Sequence, residues 1–470
     1  MSAKNDIPQK QRALVLQGGG ALGAYEAGAL SVLCQYLVNQ GKGKTNDDGE
    51  KGRPLFDIVA GTSMGAMNAA VLVSNVVNRR KTWIEAAKVL ESFWTDQAKE
   101  DEKSGGLSSF AAHFGDKWWQ WWQAEKDHNK LKGELEPARR HYSVQEYLRY
   151  GAPNVFYPHV PEFDSKFGDA DNSWFVYNNY PLEQTIKRYS KVDNQEKDGD
   201  LRIATSWDKG EPRLLVFSVD VAEGKTVAFD SYHKKIEDPQ NPLYDDGDGI
   251  TINHIMASGT VPVFYKFRGI PKDGGRQFCD GGILSNTPFK ELLQAHRDYW
   301  TRVVGKVQAK IPDLDVYIIN VHPSKQDTVP DDHDAIKDRI NDIIFSDRNS
   351  NYDEMVADLV TDHMELIAKL KELEKSHLGN QNERDPFANE FKDPTKATEA
   401  KNDAMGQDKK YKDLLKGRFR LNQAIRIEPE GGPESYKDSI SGKGADFTSA
   451  TIKELIKKGN ERAKKVLGIQ

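Results

Sequence analysis

Gly61-Thr62-Ser63-Met64-Gly65 is the stretch that most restricts what this 470-residue chain can become. It follows the apolar run Leu55-Phe56-Asp57-Ile58-Val59-Ala60 and precedes Ala66, Asn68, Ala69 and Ala70, small residues that let a helix lie close to strands. G-x-S-x-G between a strand and a helix puts the serine on a tight turn, with its hydroxyl above the sheet. The free N–H groups opening the helix favour a developing negative charge. Taken alone, the pattern also fits an ordinary strand-to-helix turn with a serine near the helix cap. An earlier unit repeats the layout: Ala13-Leu14-Val15-Leu16, then Gly18-Gly19-Gly20-Ala21-Leu22-Gly23, then a helix face of Leu30, Val32, Leu33, Leu37 and Val38. Two strand–glycine turn–helix units in succession predict an α/β fold with a parallel sheet, whose sites lie at the carboxyl ends of strands.

The glycine loop admits two functions. Gly18, Gly20 and Gly23 satisfy G-x-G-x-x-G, the pattern of a non-catalytic dinucleotide-binding module. Such a module needs an acidic residue about 20 positions further on, at the end of a second strand. Here that region is the polar loop Gly41 to Asp48. In the other function, the N–H groups of consecutive glycines face an oxyanion and complete what Ser63 needs. Gln277-Phe278-Cys279-Asp280-Gly281-Gly282 offers a carboxylate at the end of a later strand, although Asp-Gly is also a common turn signal. A free aspartate has a pKa of about 4, so Asp280 would need burial and a fixed hydrogen bond to act as a base. His322, after the apolar strand Val316 to Val321, supplies a rival: Ser63, Asp280 and His322 follow the chain order of an α/β-hydrolase triad. Against it, Ser63 follows only the second strand. His254, in a predicted helix, is a poorer candidate.

Leu16-Gln17-Gly18-Gly19-Gly20-Ala21-Leu22-Gly23-Ala24-Tyr25-Glu26-Ala27-Gly28, Gly61-Thr62-Ser63-Met64-Gly65-Ala66 and Asp280-Gly281-Gly282, in that order, resemble the three blocks of the patatin-like phospholipase family. The resemblance runs from residue 13 to 290, with a continuation to 325. It implies a three-layer α/β/α fold with a mainly parallel central sheet, and lipid acyl hydrolysis by a Ser63–Asp280 dyad. The implied oxyanion hole is made by the N–H groups of Gly19, Gly20 and Met64, with Gly18 as a fourth member. Many members carry Arg or Lys where this chain has Leu22, so the hole here relies on backbone N–H groups alone. The implied substrates are acyl esters of lipids, phospholipids or lysophospholipids foremost, cleaved without a metal or organic cofactor. A scaffold protein that keeps the fold with idle residues is the non-enzymatic alternative.

Composition narrows the remainder. A net charge of −6 without a basic block argues against nucleic acid. Cys34 and Cys279 do not make a disulfide framework, and a reducing compartment is the default. No apolar run approaches 18 residues and the first 11 residues lack an apolar core, which predicts a cytoplasmic or peripheral protein that visits membranes from the side. Asp245-Asp246-Gly247-Asp248-Gly249 lacks the ligand spacing of a calcium loop and fits a turn.

The expected organisation is a catalytic domain over 12–325 and a helical C-terminal extension over 326–470, packed on it. The first includes an aromatic-rich helical insertion at 100–180, with Trp118, Trp119, Trp121 and Trp122, that anchors a subdomain or reaches a lipid interface. In the extension, Ile336, Ile340, Ile343 and Ile344, then Met355, Leu359, Met364, Ile367 and Leu370, predict two amphipathic helices with these faces inward. Residues 376–413 fit a mobile connection, and Phe447 to Leu467 a terminal helix with Ile452, Leu455, Ile456, Ala463 and Leu467 inward.

Overall fold

The computed structural model describes residues 7–42, 53–98, 132–158, 176–190, 201–232, 249–271, 275–304, 311–347, 350–377, 418–430 and 440–469. The four insertion tryptophans, the acidic turn at 245–248 and the connection over 378–413 lie outside these residues. One sheet is built from β1 (Lys10–Leu16), β2 (Ile58–Thr62), β3 (Arg213–Asp220), β4 (Lys225–Asp230), β5 (Arg268–Ile270), β6 (Arg276–Asp280), β7 (Asp313–Ile319) and β8 (Leu421–Ile427). Its order is β8-β7-β1-β2-β3-β6-β5, with β4 also paired to β3. The helices are α1 (Gly23–Asn39), α2 (Met64–Val77), α3 (Trp83–Gln97), α4 (Lys132–Tyr150), α5 (Tyr180–Ser190), α6 (Ile252–Ser258), α7 (Phe289–Val304), α8 (His333–Phe345), α9 (Ser350–His377) and α10 (Ser449–Leu467).

At the centre β1, β2 and β3 are parallel neighbours, with Leu14 opposite Val59 and Ala60 opposite Leu215. Their near-continuous apolar sequence follows from burial on both faces, which parallel strands under helices require. This is the α/β/α fold expected from the sequence, extended by antiparallel β4, β5 and β6. The predicted β3–β4 hairpin forms, and Asp220 Oδ1 ties its turn by accepting the N–H groups of Ala222 and Glu223 at 3.0 Å each.

The register along β3 fixes where a site can lie. On one edge of β3, parallel β2 ends with Thr62 opposite Phe217. Antiparallel β6 approaches along the same edge from the other direction and ends with Asp280 opposite Ser218. β4 occupies the opposite edge from Leu215 to Asp220. The two chain ends therefore meet head-on across adjacent residues of β3. That closes the long sequence gap between Ser63 and Asp280.

By internal contacts the chain divides into two compact units. One holds Met1–Arg12, Phe289–Val316 and Asn349–Ala424; the other holds Ala13–Pro288, Tyr317–Arg348 and Ile425–Gln470. In the first, the buried Trp300 indole donates to Gln11 Oε1 at 2.9 Å, and His296 Nε2 donates to the Pro312 carbonyl at 2.8 Å. Ile367 is buried there, while Met355, Leu359 and Leu370 are exposed. In the second, α1 and α10 nearly touch backbones. A Cβ on Gly28 would stand 1.9 Å from the Ile456 carbonyl oxygen, and one on Gly459 would stand 2.0 Å from that of Tyr25. Residues Gly20–Asn39 have the length and mean hydropathy (1.2) of a membrane span, which the sequence did not suggest, but α1 is a core helix buried almost all round. Its one carboxyl, Glu26, is fully buried and accepts from Asn68 Nδ2 at 2.7 Å, and burial raises its pKa well above the ordinary range.

Helix α8 reverses an expectation. Ile336, Ile340, Ile343 and Ile344 face outward, and the buried residues are Ala335, Asp338 and Asp342. The cause is a set of buried charge partners: Lys443 Nζ lies 3.0 Å from Asp338 and 2.8 Å from Asp342, and His322 Nδ1 lies 2.8 Å from Asp342. Amphipathic spacing fixes that a helix has two faces, and here the polar one has partners inside.

Candidate active site

Ser63 sits between β2 and α2 with φ 53° and ψ −125°, outside the regions that non-glycine residues favour. The strain is the turn itself, which lifts the side chain clear of the strand. It is held in place: the Ser63 N–H donates to Ser258 Oγ at 2.8 Å, and Ser258 in turn donates to the Phe217 carbonyl. Behind the serine, a Cβ on Gly65 would lie 2.4 Å from the Leu16 carbonyl oxygen, so only glycine lets α2 settle on the end of β1.

The Ser63 hydroxyl donates to Asp280 Oδ2 at 2.6 Å. Asp280 is 6% exposed; its Oδ1 accepts the Gly282 N–H at 2.7 Å, and its own N–H donates to the Thr260 carbonyl at 2.9 Å. Burial raises the Asp280 pKa to about 6, with the hydrogen bonds from Ser63 and Gly282 pulling the other way. The carboxylate is thus the main form near neutral pH but a far better proton acceptor than a solvated aspartate.

The glycine loop lies against the serine. A Cβ on Gly18 would be 2.9 Å from Ser63 Cβ and 2.4 Å from Asn286 Oδ1. The Gly18 N–H donates to the Asn286 carbonyl at 3.1 Å, which removes it from the expected set of oxyanion donors. Among the described residues, no protein acceptor is found for the N–H groups of Gly19, Gly20 and Met64. Gly20 has φ +58°, a value that suits glycine. Leu22 is packed in the core and brings no charge.

Two amides that sequence reasoning missed hold the loop. Asn286 Nδ2 donates to the carbonyls of Gly18 and Phe345 at 3.0 and 2.8 Å. Gln17 Oε1 accepts the N–H groups of Val321 and His322 at 2.7 and 2.9 Å, and its Nε2 donates to Thr287 Oγ1 at 2.7 Å. Ser258 and Thr260 were missed for the same reason: they act through hydrogen bonds with backbone far along the chain, and no spacing rule marks such residues.

The histidines are otherwise engaged. His322 is buried with Nδ1 on Asp342, and burial lowers its pKa even though Asp342 opposes the shift. Because Ser63 bonds Asp280 directly, no imidazole stands between them, and the Ser63–Asp280–His322 order does not assemble as a relay. His254 accepts the Thr251 N–H at 2.9 Å as part of a helix cap, and burial lowers its pKa to about 3.

The family model described as Patatin-like phospholipase matches residues 14–293. Among solved structures, the crystal structure of VipD from Legionella pneumophila is similar over 95% of this chain and 67% of that one, at 14% identity and a TM-score of 0.30. No curated protein matches the chain.

Proposed function

This chain belongs to the patatin-like phospholipase family, and from that premise we propose that it hydrolyses lipid acyl esters through Ser63 and Asp280, phospholipids or lysophospholipids foremost. Asp280 takes the hydroxyl proton as Ser63 Oγ attacks the ester carbonyl carbon. Negative charge on the carbonyl oxygen is met by the N–H groups of Gly19, Gly20 and Met64, donors that need no rearrangement at the moment of reaction. Collapse leaves an acyl-enzyme and expels the alcohol, which takes the proton back from Asp280. Water then attacks the acyl-enzyme with Asp280 again as base, freeing the fatty acid and Ser63. The observation that carries this reading is the 2.6 Å bond from the Ser63 hydroxyl to a buried carboxylate.

Contact with a lipid surface fits the same reading. Ile283 and Leu284, directly after the Asp280 turn, are 51% and 52% exposed, and Val263 and Phe264 are exposed as well. Apolar side chains of this kind beside an ester-cleaving serine suit entry of acyl chains from a membrane.

A fluorophosphonate probe is expected to label the protein, and Ser63→Ala to abolish labelling and lower ester turnover by about a thousandfold or more. An unlabelled but folded wild type would favour the scaffold alternative. His322→Ala is expected to lower turnover by at most about a hundredfold, far short of Ser63→Ala, because the imidazole does not touch the serine. A loss equal to that of Ser63→Ala would restore the triad.

A further inference from the structure

We propose that Lys443 is a positioning residue for the oxyanion loop, fixing the turn at residues 440–446 against Gly19 and Gly20. The inference rests on the assignment of those glycines as oxyanion donors. The turn meets the loop backbone to backbone. A Cβ on Gly20 would stand 2.3 Å from the Gly444 carbonyl oxygen, and one on Gly444 would stand 3.0 Å from the Gly19 carbonyl oxygen. No side chain separates them, so where the turn sits decides where the loop sits.

The turn is anchored by buried charge. Lys443 Nζ lies between Asp338 (3.0 Å) and Asp342 (2.8 Å), and the three side chains are 12%, 1% and 4% exposed. The Ser441 N–H donates to Asp334 at 3.2 Å. At the far end, Asp446 accepts from Thr451 Oγ1 at 2.7 Å and pairs with Arg140 Nε at 3.4 Å.

One carboxylate also reaches the opposite side of the loop. Asp342 Oδ2 holds Lys443, while its Oδ1 holds His322 Nδ1. The His322 ring lies beneath Gly19: its Nε2 would be 3.5 Å from a Cβ there, and Val321 Cγ2 2.5 Å. Asp342 thus joins the turn that packs on Gly20, through Lys443, to His322 beside Gly19. A buried ion cluster stabilises little compared with apolar packing of the same volume, so its service here is geometric. Backbone donors act on an oxyanion only at hydrogen-bond distance, and misplacement by about 1 Å costs up to about a hundredfold in rate.

Removing Lys443 alone leaves two buried carboxylates facing each other, so the test pairs Lys443→Met with Asp338→Asn, deleting one charge of each sign. With a short-chain p-nitrophenyl ester, this double variant is expected to lose about 10- to 100-fold in kcat while KM stays within about twofold. Its melting temperature is expected to stay close to that of wild type, and Lys443→Arg to recover most of the rate. An unchanged kcat in the folded double variant overturns the inference, as does a loss of rate that merely follows the folded fraction. A wild type that neither hydrolyses the ester nor is labelled by a fluorophosphonate overturns the hydrolase reading itself, and this inference with it.

Discussion

Asp280→Asn is expected to lower kcat by about a thousandfold or more and, at the same time, to stabilise the fold. The loss follows from chemistry: an amide of the same shape keeps its oxygen on the Gly282 N–H and turns its NH2 to Ser63, so it cannot take the hydroxyl proton. The gain follows from linkage. Asp280 titrates at about 6 in the folded protein against an ordinary value of 3.8, so between those values the folded state holds a proton that the unfolded state has released. Its contribution to stability is therefore full at low pH and is lost as pH rises through about 6. Above that, the buried carboxylate costs roughly 3 kcal/mol, from about 1.4 kcal/mol per pKa unit. Asparagine avoids this cost but forms weaker hydrogen bonds with Ser63 and the Gly282 N–H, leaving a net gain of about 1–2 kcal/mol near neutral pH. Melting curves of both proteins at pH 5 and pH 8 check it: the variant's advantage should widen with pH. In the wild type, kcat/KM should climb as pH rises through about 6, as the base form appears. A variant that melts below wild type at pH 8 would contradict the buried-carboxylate account.

Arg213→Met is expected to destabilise the protein by about 3–5 kcal/mol, because it strands Asp230 in the interior. The guanidinium meets that carboxylate through Nε at 3.0 and 3.1 Å and through a further nitrogen at 2.5 Å, with both residues at least 95% buried. The pair clamps the start of β3 to the end of β4, on the strand where Ser63 and Asp280 converge. Urea unfolding should show a clear fall in midpoint, and adding Asp230→Leu should return much of the stability by removing the stranded charge. A midpoint unmoved by Arg213→Met would mean that Asp230 finds water.

The proposed catalytic pair was legible in the chain because each part makes a local demand on residue type. A strained strand-to-helix turn needs small neighbours around Ser63, and a loop that presses on Ser63 Cβ needs glycine at Gly18. Helix α6 and the β3–β4 hairpin were legible for the same reason, as turns and caps are short-range events. What stayed hidden depends on partners far along the chain. Nothing near Asp280 announces that β6 will finish opposite Ser218, because register along β3 is chosen by the whole sheet. The isoleucine spacing of α8 was visible, yet its burial was misjudged, because Lys443 draws Asp338 and Asp342 inward from about a hundred residues away. The Gly18 N–H was counted among the oxyanion donors because sequence does not reveal that Asn286 accepts it. Gly444 carries no motif at all, and its importance comes solely from the backbone it touches.

The contact between Gly28 and α10 also bears on the order in which the polypeptide is made. The first helix leaves the ribosome early, with Gly28 on a face that α10 later covers. Until Gly444 arrives, the segment just ahead of that first helix, Gly19 and Gly20 above all, lacks the backbone it packs against in the folded protein. The proposed oxyanion loop is thus completed by residues that enter the chain about 420 positions after it, Gly444 against Gly20 first among them.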